Sequence, residues 1–213
     1  MHGVRANRLE MFGRAKLFSE QGFAVLLFDF QAHGQSTGER ITFGFLESRD
    51  ARAAFDWLKL RSPKGGIGVL GMSLGGAAAI LSEKPLEADA MVLEAVFGSL
   101  DDALGNRLKM YLGPFGRILA PLLRYQVKSR LGFDPNLLKP AVSVAKVHLP
   151  LLLIAGANDR HATLDEMNQI YHAANEPKEL WIIPNATHVD FSKFAPDEYR
   201  RRVLEFFQTH LSR

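Results

Sequence analysis

Short runs of apolar residues alternate along this chain with longer segments in which apolar and polar residues recur at helical spacing. The runs are too short for helices and predict strands that are buried on both faces. They cover residues 24–28, 67–72, 90–95, 151–155 and 180–183. The amphipathic segments predict helices at residues 9–18, 45–60, 164–174 and 196–211. This alternation predicts an α/β fold with a mostly parallel sheet and helices on both of its faces.

The most informative local pattern lies at the end of the second run. The apolar residues lead into Gly71-Met72-Ser73-Leu74-Gly75, and small and apolar residues typical of a buried helix follow. A G-x-S-x-G pattern between a strand and a helix is that of a nucleophile elbow, in which a serine occupies a sharp turn. Glycine suits both flanks because a side chain there would clash with neighbouring backbone. The motif alone is equally compatible with a glycine-rich turn and an ordinary N-cap serine.

Two further polar clusters follow strands later in the chain. Gly156-Ala157-Asn158-Asp159 comes directly after the fourth run, and a loop containing His188 follows the fifth. Ligands bind at the carboxyl ends of parallel strands, so we expect Ser73, Asp159 and His188 to lie close together. A neutral imidazole can take the proton of a serine hydroxyl, and a carboxylate can hold that imidazole in the required tautomer.

With these motifs the sequence resembles the α/β-hydrolase fold family of serine hydrolases over nearly its whole length. The motifs that carry the resemblance are His2-Gly3, the segment from Phe28 to Ser36, the elbow, Gly156-x-x-Asp159 and His188. The resemblance implies that Ser73 is the nucleophile, Asp159 the acid and His188 the base. It also implies an oxyanion hole formed by the backbone amides of Leu74 and Val4, and a small helical lid over the pocket.

Other candidate residues have less support. Glu94 is the alternative acid, since it ends the strand beside the elbow strand, where some family members carry theirs; a buried structural carboxylate is the competing interpretation. Asp29 is expected to stabilise a glycine-bearing loop, and His161 to be an exposed loop residue. The histidines outside the triad have no ligand spacing with acidic partners, so we predict no metal site and no cofactor.

The resemblance has one large departure near residue 1. Family members carry strands before the His-Gly pair, and the last of these lies between the runs 24–29 and 67–72; here that strand is missing. Either the two runs pair directly, giving a five-stranded sheet, or an open slot exposes backbone groups and favours a homo-oligomer through the sheet edge. We expect direct pairing, which would shift the Gly3 loop by about 5 Å and make the enzyme sluggish.

Residues 98–140 form an insertion between the third and fourth runs, which the resemblance interprets as the lid. It contains an apolar stripe of Phe115, Ile118, Leu119, Leu122 and Leu123 and basic residues Arg117, Arg124, Lys128 and Arg130. Pro114 and Pro121 predict two short helices. We expect the stripe to line the pocket and to favour acyl chains over charged acids. Ordinary amphipathic packing and an interfacial membrane helix are the alternatives.

Composition narrows the function further. The 213 residues are 47% hydrophobic and 23% charged, which predicts one domain over residues 1–213. The net charge of +3 without a basic block gives no indication of nucleic-acid binding. The chain has no cysteine, which excludes disulfides and thiolate catalysis. No segment resembles a signal peptide or a membrane span, so we expect a cytoplasmic protein without membrane association.

The sequence therefore predicts a serine hydrolase that cleaves a small-molecule carboxylic ester through an acyl-enzyme. Amide or thioester hydrolysis, or acyl transfer, would use the same triad. From a different class, the missing strand supports a truncated product or a catalytically impaired hydrolase-fold protein that acts by binding. The fold and the triad do not specify the substrate.

Overall fold

A parallel sheet forms the centre of the molecule. The computed structural model describes residues 1–211, and for Pro114 and Arg117 it describes the backbone alone. Within these residues the strands lie side by side in chain order and are β1 Gly68–Met72, β2 Ala90–Glu94, β3 Leu151–Gly156 and β4 Lys178–Ile183. They match four of the five predicted apolar runs. Strands β2 and β3 are fully buried, whereas β4 alternates in burial.

Helices cover both faces of the sheet, as the amphipathic segments predict. The α-helices are α1 Phe12–Glu20, α2 Glu47–Arg61, α3 Leu74–Ile80, α4 Leu100–Leu112, α5 Ala120–Leu131, α6 Pro140–Ser143, α7 Leu164–Ala173, α8 Phe191–Phe194 and α9 Pro196–His210. Short 3₁₀ helices cover Arg8–Met11, Gly113–Leu119, Pro135–Leu137 and Val144–Lys146. Gly22, with a φ of 83°, follows α1 as expected of a helix-ending glycine. The α/β fold predicted from the sequence is confirmed.

The prediction that residues 24–28 pair directly with β1 is wrong. In the described chain these residues form no strand, and a cavity of about 150 Å³ separates them from β1. Residues 23–27 line one side of it, Ile67, Gly68 and Leu70 another, and Phe18 and Phe207 contribute aromatic rings. The slot between the two runs is therefore open, and the sheet has four strands rather than five within residues 1–211.

Met1 holds one end of this slot open. Its amine donates a hydrogen bond to the Leu70 carbonyl at 2.8 Å, and its carbonyl accepts one from the Met72 N–H at 3.1 Å. The backbone of Met1 thus occupies the place beside β1 that the run 24–28 would need for direct pairing. Burial lowers the pKa of this amine to about 5, so the amine is neutral at pH 7.

The insertion between β2 and β3 carries α4, the 3₁₀ segment Gly113–Leu119 and α5. Helix α4 begins after Ser99, whose side chain accepts from the Asp102 N–H, and α5 has a proline in its first turn. The apolar stripe does not line the pocket, contrary to expectation: Phe115 and Ile118 are 77% and 72% exposed. The sequence predicts that Pro114 begins a helix and that Arg117 is one of the basic residues beside the stripe; both side chains lie outside the described part of the structure.

No helix within residues 1–211 is both long enough and apolar enough to cross a membrane.

Candidate active site

The elbow around Ser73 has the geometry that its glycines predict. Ser73 has φ 51° and ψ −112°, a conformation that L-residues rarely adopt. A Cβ on Gly71 would come within 2.6 Å of the Gly75 carbonyl oxygen, and one on Gly75 within 2.5 Å of the Met1 carbonyl oxygen. The Ser73 N–H donates to the Glu94 carbonyl at 2.7 Å, which ties the turn to the end of β2. The strained turn is therefore held by close backbone packing on two sides.

Asp159 and His188 lie together on the loops that follow β3 and β4. The His188 Nδ1 is 2.7 Å from the Asp159 Oδ2. The other carboxylate oxygen of Asp159 accepts the backbone N–H groups of His161 and Ala162 at 2.8 and 3.1 Å. The carboxylate is buried, and these three bonds satisfy it and fix its direction. Such a bond from Nδ1 leaves Nε2 of the imidazole to act as a base.

A pocket of about 40 Å³ is lined by residues of the elbow and of the loops that follow β3 and β4. Ser73 and His188 both line it, and so does His161, whose ring centroid lies 5.0 Å from that of His188. His161 is thus a pocket residue rather than the exposed loop residue expected from the sequence. Burial, and then the nearby His188 and Arg107, lower the pKa of His161 below its ordinary value. The lowered pKa favours the uncharged form of its imidazole.

The residues whose amides the resemblance assigns to an oxyanion hole, Val4 and Leu74, also line this pocket. Leu74 is the first residue of α3, where the backbone N–H has no partner within the helix. The turn that carries Val4 is anchored by the Gly3 N–H, which donates to Glu10 Oε2 at 2.7 Å. A Cβ added to Gly3 would lie 4.0 Å from Ser73 Cβ, so this turn and the elbow are in contact.

His2 connects the same turn to the loop after residue 28. Its Nε2 accepts the Phe30 N–H at 3.1 Å, and its Nδ1 lies 2.8 Å from the Gly3 carbonyl. The imidazole is buried, and burial is the main cause of its lowered pKa. In the loop, Asp29 accepts the N–H groups of Arg8 and Gln35 at 2.6 and 2.9 Å, which agrees with the loop-stabilising role expected of it.

Glu94, the alternative acid, has a different set of partners. Its two carboxylate oxygens accept from Arg14 Nε and Nη2 at 3.1 and 2.6 Å, and the Tyr199 hydroxyl donates to the first. Arg14 also pairs with Asp190 at 2.9 Å, two residues after His188. Burial alone would lower the pKa of Arg14, but the charge of Glu94 holds it above its ordinary value. This cluster connects α1, β2 and the His188 loop in the interior.

Sequence reasoning missed Arg14, and a signal for it exists. Arg14 stands three residues after Met11 and four before Phe18, on the face of α1 that is otherwise apolar. An arginine on such a face requires a buried acidic partner. Glu94, the acidic residue at the end of a fully buried strand, is the partner that the pattern would have suggested.

A second unpredicted group lies beside the pocket, on α4 and α7. The Asn106 side chain donates to Glu166 Oε1 at 2.5 Å and to the His161 carbonyl at 3.2 Å. Burial raises the pKa of Glu166 to about 7. Arg107, the next residue along α4, lines the pocket itself. In residues 1–211 no cluster of three or more His, Cys, Asp or Glu side chains has a geometry suited to a metal ion.

Comparison with known proteins gives both a family and solved structures. Residues 1–142 match the family described as serine aminopeptidase, S33. Among solved structures, the Pyrococcus furiosus esterase Pf2001 superposes with a TM-score of 0.79 at 29% identity, and the alignment covers 100% of this chain and 82% of that one.

Curated relatives are longer than this chain. YqkD of Bacillus subtilis (strain 168) is 29% identical over 209 residues, and ABHD12B of Homo sapiens is 34% identical over 182 residues. The first alignment covers 96% of this chain and 68% of YqkD, and the second 81% of this chain and 47% of ABHD12B. The chain therefore spans about two thirds of one relative and about half of the other.

Proposed function

This chain belongs to the serine aminopeptidase S33 family of α/β hydrolases, and we propose on that premise that it is a serine hydrolase that cleaves carboxylic esters. The single observation that carries the proposal is the pocket that Ser73 and His188 both line, with His188 bonded to the buried Asp159. A nucleophile, a base and an orienting carboxylate are the three groups that acyl transfer at a serine requires.

In the proposed reaction the Ser73 Oγ attacks the ester carbonyl carbon while His188 Nε2 takes the hydroxyl proton. The same proton passes to the leaving alcohol when the carbon–oxygen bond breaks, and an acyl-enzyme remains. His188 then takes a proton from a water molecule whose oxygen attacks the acyl carbon; when the bond between that carbon and Ser73 Oγ breaks, His188 returns the proton to Oγ, which releases the acid and regenerates Ser73. Asp159 keeps the imidazole in the correct tautomer and stabilises its charged form.

The negative oxygen of each tetrahedral intermediate needs hydrogen-bond donors in the same pocket. We propose the backbone N–H groups of Leu74 and Val4 as these donors. The anchoring of the Gly3 turn by Glu10 and its contact with the elbow support this assignment, since a donor must be held in place to stabilise developing charge. The open slot also supports it, because the Gly3 loop need not move toward the run 24–28.

Amide hydrolysis on the same triad is the second candidate, and one observation favours it. The matched family is described as serine aminopeptidase, whereas the similar solved structure is described as an esterase. Ester cleavage ranks first because the structural alignment with Pf2001 covers the whole of this chain, including the segment of the proposed acid and base. We further propose a small-molecule substrate and a cytoplasmic location, the latter in keeping with a chain that has no cysteine.

The test is labelling with a fluorophosphonate probe, followed by assay on 4-nitrophenyl acetate. The wild-type chain should be labelled stoichiometrically at Ser73 and should hydrolyse the acetate, while Ser73→Ala should do neither. Loss of a triad member typically lowers turnover by several orders of magnitude, so a variant that kept more than about a tenth of it would exclude Ser73 as nucleophile. Absent labelling of folded wild-type protein would favour a catalytically impaired binding protein instead.

A further inference from the structure

Arg107 is a charged residue on the wall of the candidate pocket, and the proposed triad chemistry does not use it. It shares one face of α4 with Leu100, Ala103 and Leu104, since these positions are three or four residues apart, and all four line the pocket. Arg107 therefore lines the same pocket as Ser73 and His188, and its charge lies close enough to act on the imidazole of His161.

Four acidic residues lie on α4 and α7; Asp165 is exposed to solvent, and the other three have partners other than Arg107. Asp101 accepts from Arg124 at 2.7 Å, Asp102 from the Ser99 hydroxyl at 2.5 Å, and Glu166 from Asn106 at 2.5 Å. Within the described part of the chain, Arg107 itself takes part in no ion pair. Arg107 is a half-buried residue, and a guanidinium without a carboxylate partner keeps its attraction for an anion.

His161, a histidine of the same pocket, does not compete with Arg107 for an anion. His161 lines the same pocket, and the charge of Arg107 is one of the causes of its lowered pKa. The positive charge of this wall at neutral pH therefore comes from Arg107. The apolar stripe of Phe115, Ile118, Leu119, Leu122 and Leu123 does not line the pocket, so it adds nothing to the apolar surface that Leu100 and Leu104 present there.

We propose that Arg107 binds an anionic group of the substrate, a carboxylate or a phosphate, and that the site prefers esters that carry one. A planar guanidinium can bind either group through two parallel hydrogen bonds, which gives both affinity and orientation. The inference rests on the proposed hydrolase function and adds a substrate class to it. It reverses the expectation, drawn from the apolar stripe, that charged acids are disfavoured.

The test uses two pairs of esters matched in size, with hydrolysis followed by chromatography of the products. Monomethyl succinate and methyl butyrate differ by a carboxylate on the acyl side. 2-Acetoxyethyl phosphate and 2-methoxyethyl acetate differ by a phosphate on the alcohol side. The wild-type chain should prefer the anionic member of at least one pair by about tenfold or more in kcat/KM, as expected for a charge-assisted bidentate contact. The pair that shows the preference identifies the side that carries the anion.

Variants connect this preference to Arg107. In Arg107→Gln the ratio of kcat/KM for the anionic ester to that for the neutral ester should fall to about one, mainly through a higher KM for the anionic ester. Arg107→Lys should keep part of the ratio. Lys109→Gln is the matched control, because Lys109 is an exposed cation on the same helix that does not line the pocket; its ratio should equal that of the wild type.

The outcomes separate this inference from the function on which it rests. Hydrolysis of the neutral esters with no preference for either anionic ester would overturn the inference and leave the hydrolase proposal standing. An equal loss for both members of a pair in Arg107→Gln would also overturn it, since that loss indicates a structural role. No hydrolysis of any of the four esters, together with no fluorophosphonate labelling, would overturn the hydrolase proposal itself.

Discussion

The two edges of β1 belong to one strand but have different surroundings. On the edge facing β2, parallel pairing runs from Gly68 with Ala90 to Met72 with Glu94, and the Ser73 N–H extends it. On the opposite edge, among residues 1–211, Met1 is the residue that bonds to the strand, at Leu70 and Met72. The rest of that edge faces the apolar cavity.

Because of this difference, Ser73 can be held in position although one edge of β1 lacks a neighbouring strand. The groups that hold Ser73 lie at the carboxyl end of β1, where Met1 and Glu94 contact the elbow from opposite sides. The open slot extends toward the amino end, beside Gly68. We therefore expect changes at the carboxyl end to affect activity and changes in the slot to affect stability.

The largest expected effect is at the carboxyl end. Asp159→Asn should lower kcat by about 10⁴, because the amide would hold His188 in the wrong tautomer, and its unfolding curve should stay close to that of the wild type. Steady-state kinetics and urea unfolding measure the two quantities.

Glu94→Gln is the matched comparison among the carboxylates near the elbow. It leaves Asp190 as the remaining carboxylate beside Arg14, so it should destabilise the fold by about 3 kcal/mol, the low end of the range for breaking a buried ion pair. Its kcat, corrected for the folded fraction, should fall far less than that of Asp159→Asn. The acid has been misassigned if Glu94→Gln, so corrected, is the slower enzyme.

The slot provides the next largest effect. An apolar segment of about five residues attached before Met1 should enter the slot as a strand and raise the free energy of unfolding by on the order of 2–4 kcal/mol through new backbone hydrogen bonds. A Gly/Ser segment of equal length is the control and should have little effect. Because Val4 already lines the pocket with Ser73, kcat should change by less than about threefold.

A tenfold gain in kcat from the apolar segment would show that the slot also limits catalysis, and the two ends of β1 would then be coupled. Sedimentation at several protein concentrations measures whether the open edge causes chains to associate. If it does, the apolar segment should reduce that association and the Gly/Ser segment should not.

Glu166, beside the candidate pocket, makes the stability of the fold depend on pH. Its pKa is raised from 4.5 to about 7 by burial, so the folded state binds this proton more tightly than the unfolded state. The resulting stabilisation, about 3 kcal/mol, is fully present below pH 4.5 and is lost as the pH rises through about 7. Glu166→Gln should lack this loss.

Urea unfolding of the wild type and of Glu166→Gln at pH 5 and pH 8 checks this prediction. The buried Met1 amine acts in the opposite direction, because its lowered pKa makes the fold more stable as the pH rises between about 5 and 8. That contribution is the same in both proteins and cancels in the comparison. Equal pH dependence of the two proteins would contradict a raised pKa at Glu166.

The smallest expected effect concerns the apolar stripe of the insertion. Phe115→Ser and Ile118→Ser should change the free energy of unfolding by less than about 0.5 kcal/mol, since both side chains are largely exposed. The ratio of kcat/KM for octanoate and butyrate esters should also stay within about twofold of the wild-type ratio. A larger change in that ratio would mean that the stripe moves over the pocket when substrate binds.

Local patterns in the sequence predicted the four strands of the sheet, the helices α1, α2, α7 and α9, and the elbow, but not the 13-residue helix α4. Apolar runs predicted β1 to β4 because a short run of apolar residues favours a strand inside a covered parallel sheet. Gly71 predicted the turn because the clash it avoids is with the backbone of Gly75 and Gly76, only a few residues away, whereas the clash that Gly75 avoids is with the distant Met1 and His2. The order of Ser73, Asp159 and His188 predicted that they would lie close together because parallel strands end at one edge.

Contacts between distant residues needed the tertiary structure. The pattern of residues 24–28 is that of a buried strand, yet they do not join the sheet, because Met1 occupies the adjoining edge of β1. Glu94 resembles a candidate acid until Arg14, 80 positions away, is seen to bind it. Arg107 lines the pocket and the apolar stripe does not, because the tertiary packing of the insertion decides which of its residues reach the pocket. Sequence determines which residues are apolar, charged or turn-forming, whereas the partner of each buried group depends on distances that only the complete fold sets.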